Sequence, residues 1–362
     1  MLRLLFLISS IIISGSVQLI TIPLIMTVYP SIFFVILILA MEGIIVFALI
    51  MLINDLYGLC YKKSWAFNYT HLRNNITLII VLGVNQYLIS MCFFYASHPI
   101  RTPILIQVIL LGLGIFPSVI LSKIILNRSK IYHIRYIIIS ILFLLMSIVL
   151  GIVPIPIMDI QSASFIWCLV YAFGVIFISL SNVLQEKYIL ATDKKASTKF
   201  KLAFYTRLIQ LLLTILMFWI EPLLGYNNSF NNFFINLYTD FATSLKLFAS
   251  ISYNFWIIQA YVLARVISYI LFIYLNQISA NYSTIISNIN TQILSLFFAI
   301  FPALNKGFKY PLVVTMLNIF CNICGIIFWI KGEKVDNELA GLNKIESNEN
   351  SYLFGRKYTT DL

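Results

Sequence analysis

Charge is scarce in this sequence. Only 10% of its 362 residues are Asp, Glu, Lys or Arg, whereas 61% are hydrophobic. A soluble protein of this length needs many more charged residues to cover its surface. The composition therefore excludes a soluble globular domain and predicts an integral membrane protein in contact with a lipid bilayer.

Cysteine and histidine are scarce as well, with five and three residues respectively. The cysteines form no disulfide framework, and the histidines fall in separate loops, so neither residue type predicts a metal site. The sequence groups no nucleophile with a base near a membrane interface. We therefore expect neither a cofactor nor an enzyme activity.

Long apolar runs are the dominant feature that the sequence does have. A transmembrane helix needs about 20 apolar residues to cross roughly 30 Å of hydrocarbon. Ten runs reach about this length: Leu4–Met26, Ile32–Ile53, Ile76–Ala96, Thr102–Leu126, Tyr136–Val153, Ser164–Ile189, Leu202–Ile220, Phe255–Asn276, Thr284–Ala303 and Tyr310–Ile330. The sequence predicts an all-α integral membrane protein with ten transmembrane helices.

Positive charge is arranged by loop. The net charge is +11, but the Lys and Arg residues concentrate in alternate short loops instead of forming one basic patch. This alternation is typical of membrane topology, in which cytosolic loops are rich in basic residues. It argues against nucleic-acid binding and predicts that both termini are cytosolic, in agreement with an even number of spans.

Ten spans divide into two halves of five. Residues 1–153 are predicted to form the first five-helix repeat and residues 154–332 the second. Because each half has an odd number of spans, the two repeats are inverted relative to each other. Apolar positions in residues 230–252 recur every three or four residues, which predicts a non-cytosolic amphipathic helix against the membrane surface or capping the bundle. Residues 333–362 are predicted to be a disordered cytosolic tail.

Three stretches of the chain resemble a known family. They are residues 95–97 with 101–107 (YAS and RTPILIQ), residues 180–187 (LSNVLQEK) and residues 283–289 (STIISNI). With the long loop before the eighth span, they are similar to the chloroquine-resistance-transporter-like family of the drug/metabolite transporter superfamily. Some members carry cysteine pairs in that loop, and this chain has none between Glu221 and Asn254.

The resemblance implies a fold of two inverted five-helix repeats in a vacuolar, digestive-vacuole or endolysosomal membrane. It also implies a monomer that exports amino acids, peptides, thiols or cationic drugs from an acidic compartment to the cytosol, with protons as the coupling ion. An alternative within the superfamily is a nucleotide-sugar or phosphate-ester antiporter, which would favour paired basic residues inside the spans.

Three ionisable residues interrupt the apolar runs. A charge at the bilayer centre costs about 2.5–3.5 kcal/mol on an insertion scale, so such residues usually face a wet cavity or a partner. Glu42 is the candidate for proton coupling, because hydrocarbon favours its neutral acid; the alternative is a structural ion pair with Arg265. Arg265 itself is a candidate for attracting a substrate carboxylate. Arg207 either lines the cavity or extends to the cytosolic surface.

Uncharged residues complete the candidate set. The polar candidates for the substrate cavity are Asn85, Gln86, Gln107, Asn182, Asn288, Asn290 and Gln292. The gating candidates are Tyr95, Tyr274, Pro103, Pro117 and Pro302. Packing or interfacial anchoring is the alternative role for each. Asn227 is the one glycosylation sequon that falls in a non-cytosolic loop of useful length.

Overall fold

The computed structural model describes residues 2–62, 75–98, 101–126, 134–152, 162–192, 196–223, 233–276, 280–301, 312–321, 323–325, 327–328 and 331–332. Within these ranges the chain is helical apart from short turns, and no strand occurs. The predicted all-α class is therefore confirmed for this part of the chain. Asn227 and Pro302, two of the predicted candidates, lie outside the described residues.

The helices follow the predicted apolar runs. They are α1 (Leu2–Val28), α2 (Ile32–Lys62), α3 (Ile76–Ala96), α4 (Ile104–Gly112), α5 (Ile115–Leu126), α6 (Ile134–Ile152), α7 (Ser162–Ala191), α8 (Ala196–Leu216), α9 (Ile220–Leu223), α10 (Phe233–Ala249), α11 (Tyr253–Asn276) and α12 (Ala280–Ile300). A shorter apolar helix, Leu312–Gly325, comes after them.

Among the residues that the structure describes, six helical segments are long and apolar enough to cross a membrane. They are Phe6–Val28, Ile32–Tyr57, Ile76–Ala96, Ile106–Leu126, Phe165–Ala191 and Tyr253–Asn276. Their outer faces expose large apolar side chains such as Ile13, Ile45 and Phe173. Such surfaces suit hydrocarbon, where helices satisfy their own backbone hydrogen bonds. The chain is therefore a multi-pass membrane protein.

Helix packing brings distant parts of the sequence together. α1 packs against α11 and α12, while α3 packs against α7 and α8, and α2 packs against α8. Two glycines mark close approaches of α3 to its neighbours, since a Cβ on Gly83 would lie 2.5 Å from Ile209, and one on Gly174 would lie 2.8 Å from Phe93. Small residues at such positions let helix backbones approach in a membrane.

The fourth predicted span is interrupted at Leu113 and Gly114. Leu113 and Gly114 separate α4 from α5, and the Ser179 hydroxyl donates a hydrogen bond to the Gly114 carbonyl at 2.9 Å. Pro103 precedes α4 as its N-cap. Pro117 lies in the first turn of α5, and the residue four positions before it is Leu113, at the interruption. Proline has no N–H to bond that carbonyl and its ring crowds it, so Pro117 is expected to contribute to the break.

The amphipathic segment forms α10, which covers the start of α2. The Phe241 ring lies 5.3 Å from the Phe34 ring and 6.1 Å from the Phe33 ring, measured between centroids. The Phe248 ring lies 6.0 Å from that of Phe34. Phe234 and Leu245 of the same stripe are exposed. Part of the apolar stripe therefore packs on α2, through Phe241 and Phe248, and part of it faces outward.

A buried carboxylate joins three segments at this end of α2. Glu221 of α9 accepts hydrogen bonds from the Ile32 backbone N–H at 2.6 Å and from the Ser31 hydroxyl at 3.1 Å. The Ser31 backbone N–H donates to the Ser244 hydroxyl of α10 at 3.1 Å. Glu221 thus caps α2 from a distant segment of the chain. Burial raises the pKa of Glu221 to about 7, although these hydrogen bonds act in the opposite direction.

Candidate functional site

A polar cavity of about 110 Å³ lies between α1, α3, α7, α11 and α12. This volume holds a few water molecules or the head group of a small solute. Its polar lining includes Gln18, Gln86, Asn182, Gln185, Arg265 and Asn290. Among the described residues that line it, Arg265 carries the only charge. Side chains of this kind inside an apolar bundle are typical of a transport path.

Arg265 of α11 is central to this site. One guanidinium nitrogen donates to the Gln86 side-chain oxygen of α3 at 3.3 Å, and the side chain is only partly buried. Arg265 also borders two smaller neighbouring cavities. The residue therefore connects the main cavity with the space between α2, α3, α8 and α11.

A chain of hydrogen bonds leads away from Arg265 along α7. The Gln86 amide donates to the Ser181 hydroxyl at 2.7 Å, and the Asn276 amide donates to the Gln185 oxygen at 2.8 Å. The Ser283 hydroxyl then donates to Asn276 in a short hydrogen bond. These bonds orient Gln86, which faces the cavity, because its oxygen accepts from Arg265 and its nitrogen donates to Ser181.

Arg207 of α8 is buried, with 4% of its surface exposed. One of its nitrogens donates to the Gln210 side-chain oxygen, and the guanidinium lies 5.0 Å from the Tyr269 ring centroid. Its second terminal nitrogen is buried and lacks a hydrogen-bond partner among the described residues. The alternative in which Arg207 extends to the cytosolic surface is therefore wrong, because its side chain points into the bundle.

The two arginines border one small cavity. Arg207 and Arg265 both line a space of about 20 Å³, together with Gly43 of α2 and Ser90 of α3. The charges of the two guanidiniums are close enough to repel each other. Neither forms an ion pair with a carboxylate of the described residues, since Gln86 and Gln210 are their hydrogen-bond partners.

Glu42 is not joined to Arg265. Its carboxylate accepts a hydrogen bond from the Gln259 amide of α11 at 2.7 Å, and its second oxygen is buried without a partner among the described residues. The expected alternative of an ion pair with Arg265 is therefore wrong. A carboxyl group with one unbonded oxygen has room to carry a proton, so the coupling role stays a prediction.

Asn290 and Gly15 shape one wall of the main cavity. Asn290 of α12 is buried and lies so close to α1 that a Cβ on Gly15 would collide with its amide nitrogen. The Asn290 side-chain oxygen is buried without a hydrogen-bond partner among the described residues. Nearby, the Ser268 hydroxyl donates to Ser14 at 2.9 Å. The wall therefore presents amide and hydroxyl groups to a ligand.

The remaining polar candidates divide between the cavity and helix packing. Asn182 lines the cavity. Gln107 instead donates to the Ser97 and Thr102 carbonyls at 3.0 and 2.8 Å, which ties α4 to the preceding turn. Asn85 donates to the Phe177 carbonyl at 2.8 Å and joins α3 to α7.

Two candidates of α12 do not add to the described cavity wall. Gln292 is buried and donates to Thr291 at 3.1 Å, and it is not among the residues that line the cavity. The Asn288 backbone belongs to α12, but its side chain lies outside the part of the chain that the structure describes.

The two gating tyrosines lie in different surroundings. Tyr95 is buried in the apolar core, with 2% of its surface exposed. Tyr274 lies under a cation, since the Lys199 ammonium is 3.7 Å from its ring centroid. These contacts give both residues a packing role, and gating by either one stays a prediction.

Several residues that line the cavity were not among the candidates predicted from the sequence. Ser181 and Gln185 line the cavity and belong to the stretch 180–187 that carries the family resemblance. Their spacing of four on one helix face was the available signal. Ser268 and Tyr269 also line the cavity, and no local pattern distinguishes them from other residues of an apolar helix.

The arrangement defines a class of protein: a multi-pass membrane protein with apolar outer faces and a polar cavity inside the helix bundle. Comparison with models of known protein families found no match, and comparison with curated proteins found none. The chloroquine-resistance-transporter-like resemblance therefore rests on the quoted residues of this sequence.

Proposed function

We propose that this protein is a secondary transporter of small solutes and that the cavity around Arg265 is its substrate site. The observation that supports this function best is a charged side chain, hydrogen-bonded to Gln86, inside a polar cavity between apolar helices. Keeping such a residue in a membrane is costly unless it serves a path or a ligand. Substrate sites at the meeting of several spans are typical of carriers.

We further propose ten spans in two inverted repeats with both termini in the cytosol. Beside the six long apolar segments, α6, α8, α12 and the helix Leu312–Gly325 are available to complete this number. α8 and α12 are less apolar on average because they carry polar residues such as Arg207 and Asn290, which are buried. Such helices are expected in a bundle that surrounds a polar path.

The direction and the driving force are part of the same proposal. The transporter would release amino acids, peptides, thiols or cationic drugs from an acidic vacuole or lysosome-like compartment into the cytosol, coupled to protons. Glu42 is the proposed coupling residue, because its carboxyl group lies within the bundle with one oxygen unbonded among the described residues. Gaining and losing a proton there would change the hydrogen bond from Gln259.

A second function is a nucleotide-sugar or phosphate-ester antiporter. The specific observation in its favour is that Arg207 and Arg265 border the same small cavity. Paired basic residues suit phosphate oxygens because guanidinium groups form two parallel hydrogen bonds with them. This function requires exchange of one solute for another and no pH gradient.

Uptake into proteoliposomes distinguishes these functions. The full chain is reconstituted, the face equivalent to the lumen is held acidic, and the panel contains a basic amino acid, a short peptide, glutathione, a cationic drug and a nucleotide sugar. Transport of the first four that stops when an ionophore collapses the gradient supports the proton-coupled exporter. Exchange of the nucleotide sugar alone, indifferent to pH, supports the antiporter. No transport above protein-free liposomes contradicts both.

A further inference from the structure

We propose that Arg207 and Arg265 together bind an oxyanion of the transported solute, a carboxylate or a phosphate, between α8 and α11. The inference rests on the proposed transport function and narrows its substrates to solutes that carry at least one such anionic group, which removes cationic drugs without an anionic group from the proposed substrates. The anion would lie between the two guanidiniums, and the rest of the solute would occupy the main cavity that Arg265 also lines.

The first argument is charge balance. Both guanidiniums are always protonated, because arginine is not deprotonated inside proteins. Their hydrogen-bond partners are the neutral amides of Gln210 and Gln86. Glu42 is held by Gln259 and lines neither cavity. Two like charges thus share one site without a carboxylate from the described residues to neutralise them.

The second argument is an unused donor. Arg207 is 4% exposed, and one of its terminal nitrogens is buried with no hydrogen-bond partner among the described residues. A buried charged donor without an acceptor is strongly unfavourable, so a site of this kind is stabilised by an acceptor that arrives with the ligand. Gln210 is itself held by a bond to the Ser90 hydroxyl at 2.9 Å, so its oxygen stays directed at Arg207.

The third argument is access between the cavities. Arg265 borders both the small space next to Arg207 and the main cavity, so a single solute can place its anionic group at the first and its body in the second. Gly43 of α2 lines the small space as well, on the α2 side.

This geometry predicts that each transported solute carries an anionic group. A cation without an anionic group would meet two guanidiniums and no described carboxylate in the cavity lining, which disfavours it. A zwitterion such as an amino acid or a peptide fits if its carboxylate faces the arginines. A phosphate ester fits in the same position, because both groups offer oxygens for forked hydrogen bonds.

Matched pairs of solutes test the proposal on the wild-type protein. Lysine is compared with lysine methyl ester, which lacks the carboxylate, and glucose 6-phosphate is compared with glucose. Each is added to the full chain in nonionic detergent, and binding is followed by thermal stabilisation; uptake into proteoliposomes is measured in parallel. We expect binding and uptake of lysine, of glucose 6-phosphate or of both, at least tenfold above the uncharged or esterified partner. Binding of lysine identifies a carboxylate as the bound anionic group, and binding of glucose 6-phosphate identifies a phosphate.

Charge-neutralising variants then locate the site. Arg265→Gln and Arg207→Gln are each expected to weaken binding of the preferred anion by about 10- to 100-fold, the loss of a hydrogen-bonded charge. Arg265→Lys is expected to retain part of the binding, since it keeps the charge and loses the fork. Lys246→Gln removes one positive charge from the exposed side of α10 and is the matched control with unchanged binding.

Three results would overturn the inference. Uptake of lysine methyl ester as fast as lysine would show a carrier that does not need the anion, which leaves the transport function intact. Stabilisation by chloride equal to that by the oxyanions would assign the arginines to a halide instead. Full anion selectivity in Arg207→Gln and Arg265→Gln would place the anion elsewhere. If no solute is transported at all, the transport function itself fails, whatever the binding measurements show.

Discussion

The buried carboxylate of Glu221 makes the stability of this protein depend on pH. An exposed glutamate has a pKa of 4.5, whereas burial raises the pKa of Glu221 to about 7 in the folded protein. Between these values the folded state holds a proton that the unfolded state has released. The contribution of Glu221 to stability is therefore greatest below about pH 4.5 and is lost as the pH rises through about 7.

The size of the effect follows from this shift. Each pKa unit corresponds to roughly 1.4 kcal/mol, so the difference between 4.5 and about 7 amounts to about 3 kcal/mol. Glu221 is 4% exposed, so solvent screens this contribution little. The hydrogen bonds from Ile32 and Ser31 are already included, since they offset part of the cost of burying the charge.

Glu221→Gln isolates this contribution, because the amide oxygen can still accept the bond from the Ile32 N–H. We expect the variant to match the wild type near pH 4.5 and to be more stable by up to about 3 kcal/mol at pH 8. Thermal unfolding of both proteins in the same detergent at several pH values measures the difference. The difference between the two unfolding free energies at each pH cancels the contributions of the other titrating groups.

Asp240 provides an independent check of the same reasoning. Its negative charge raises the pKa of Glu221, so Asp240→Asn is expected to move the pH-dependent loss of stability to lower pH. If the difference in unfolding free energy between the wild type and Glu221→Gln stayed constant from pH 4.5 to pH 8, the argument would be refuted. A variant less stable than the wild type at pH 8 would mean that the ionised carboxylate stabilises the start of α2.

Further predictions concern helix packing, the cavity and coupling. Gly83→Ala would place a methyl group 2.5 Å from Ile209, and we expect a loss of about 1–3 kcal/mol in thermal stability from overpacking α3 against α8. Gly15→Ala would displace the Asn290 amide; uptake should fall several-fold while the unfolding temperature changes little, and unchanged uptake would remove Asn290 from the site. Glu42→Gln should abolish the pH dependence of proteoliposome uptake and leave folding intact, so pH-driven uptake equal to wild type would end its coupling role.

The helices were largely predictable from the apolar runs. The predicted run Ile76–Ala96 has the same bounds as α3, because both its ends coincide with polar residues and turns. α2 instead extends beyond the predicted Ile53 to Lys62. Hydropathy locates the part of a helix that suits lipid, whereas the helix itself continues as long as its backbone hydrogen bonds do.

The candidate site was predictable only in part. Glu42, Arg207 and Arg265 stood out because ionisable residues are rare in apolar runs. Their partners did not stand out, since Gln259, which holds Glu42, resembles any other polar residue of α11. The ion pair between Glu42 and Arg265 was a reasonable expectation from charge alone, and it is not formed because packing directs the two side chains to different neighbours.

What the sequence determined by itself is the membrane character, the helical class and the scarcity of charge within the spans. These properties depend on local composition, because each apolar run enters the bilayer according to its own transfer free energy. Only the tertiary structure decided that Arg207 and Arg265 face one space and that Glu221 caps a helix 189 positions away in the chain. Such contacts depend on the rotation and neighbours of whole helices, which the period of one segment does not encode.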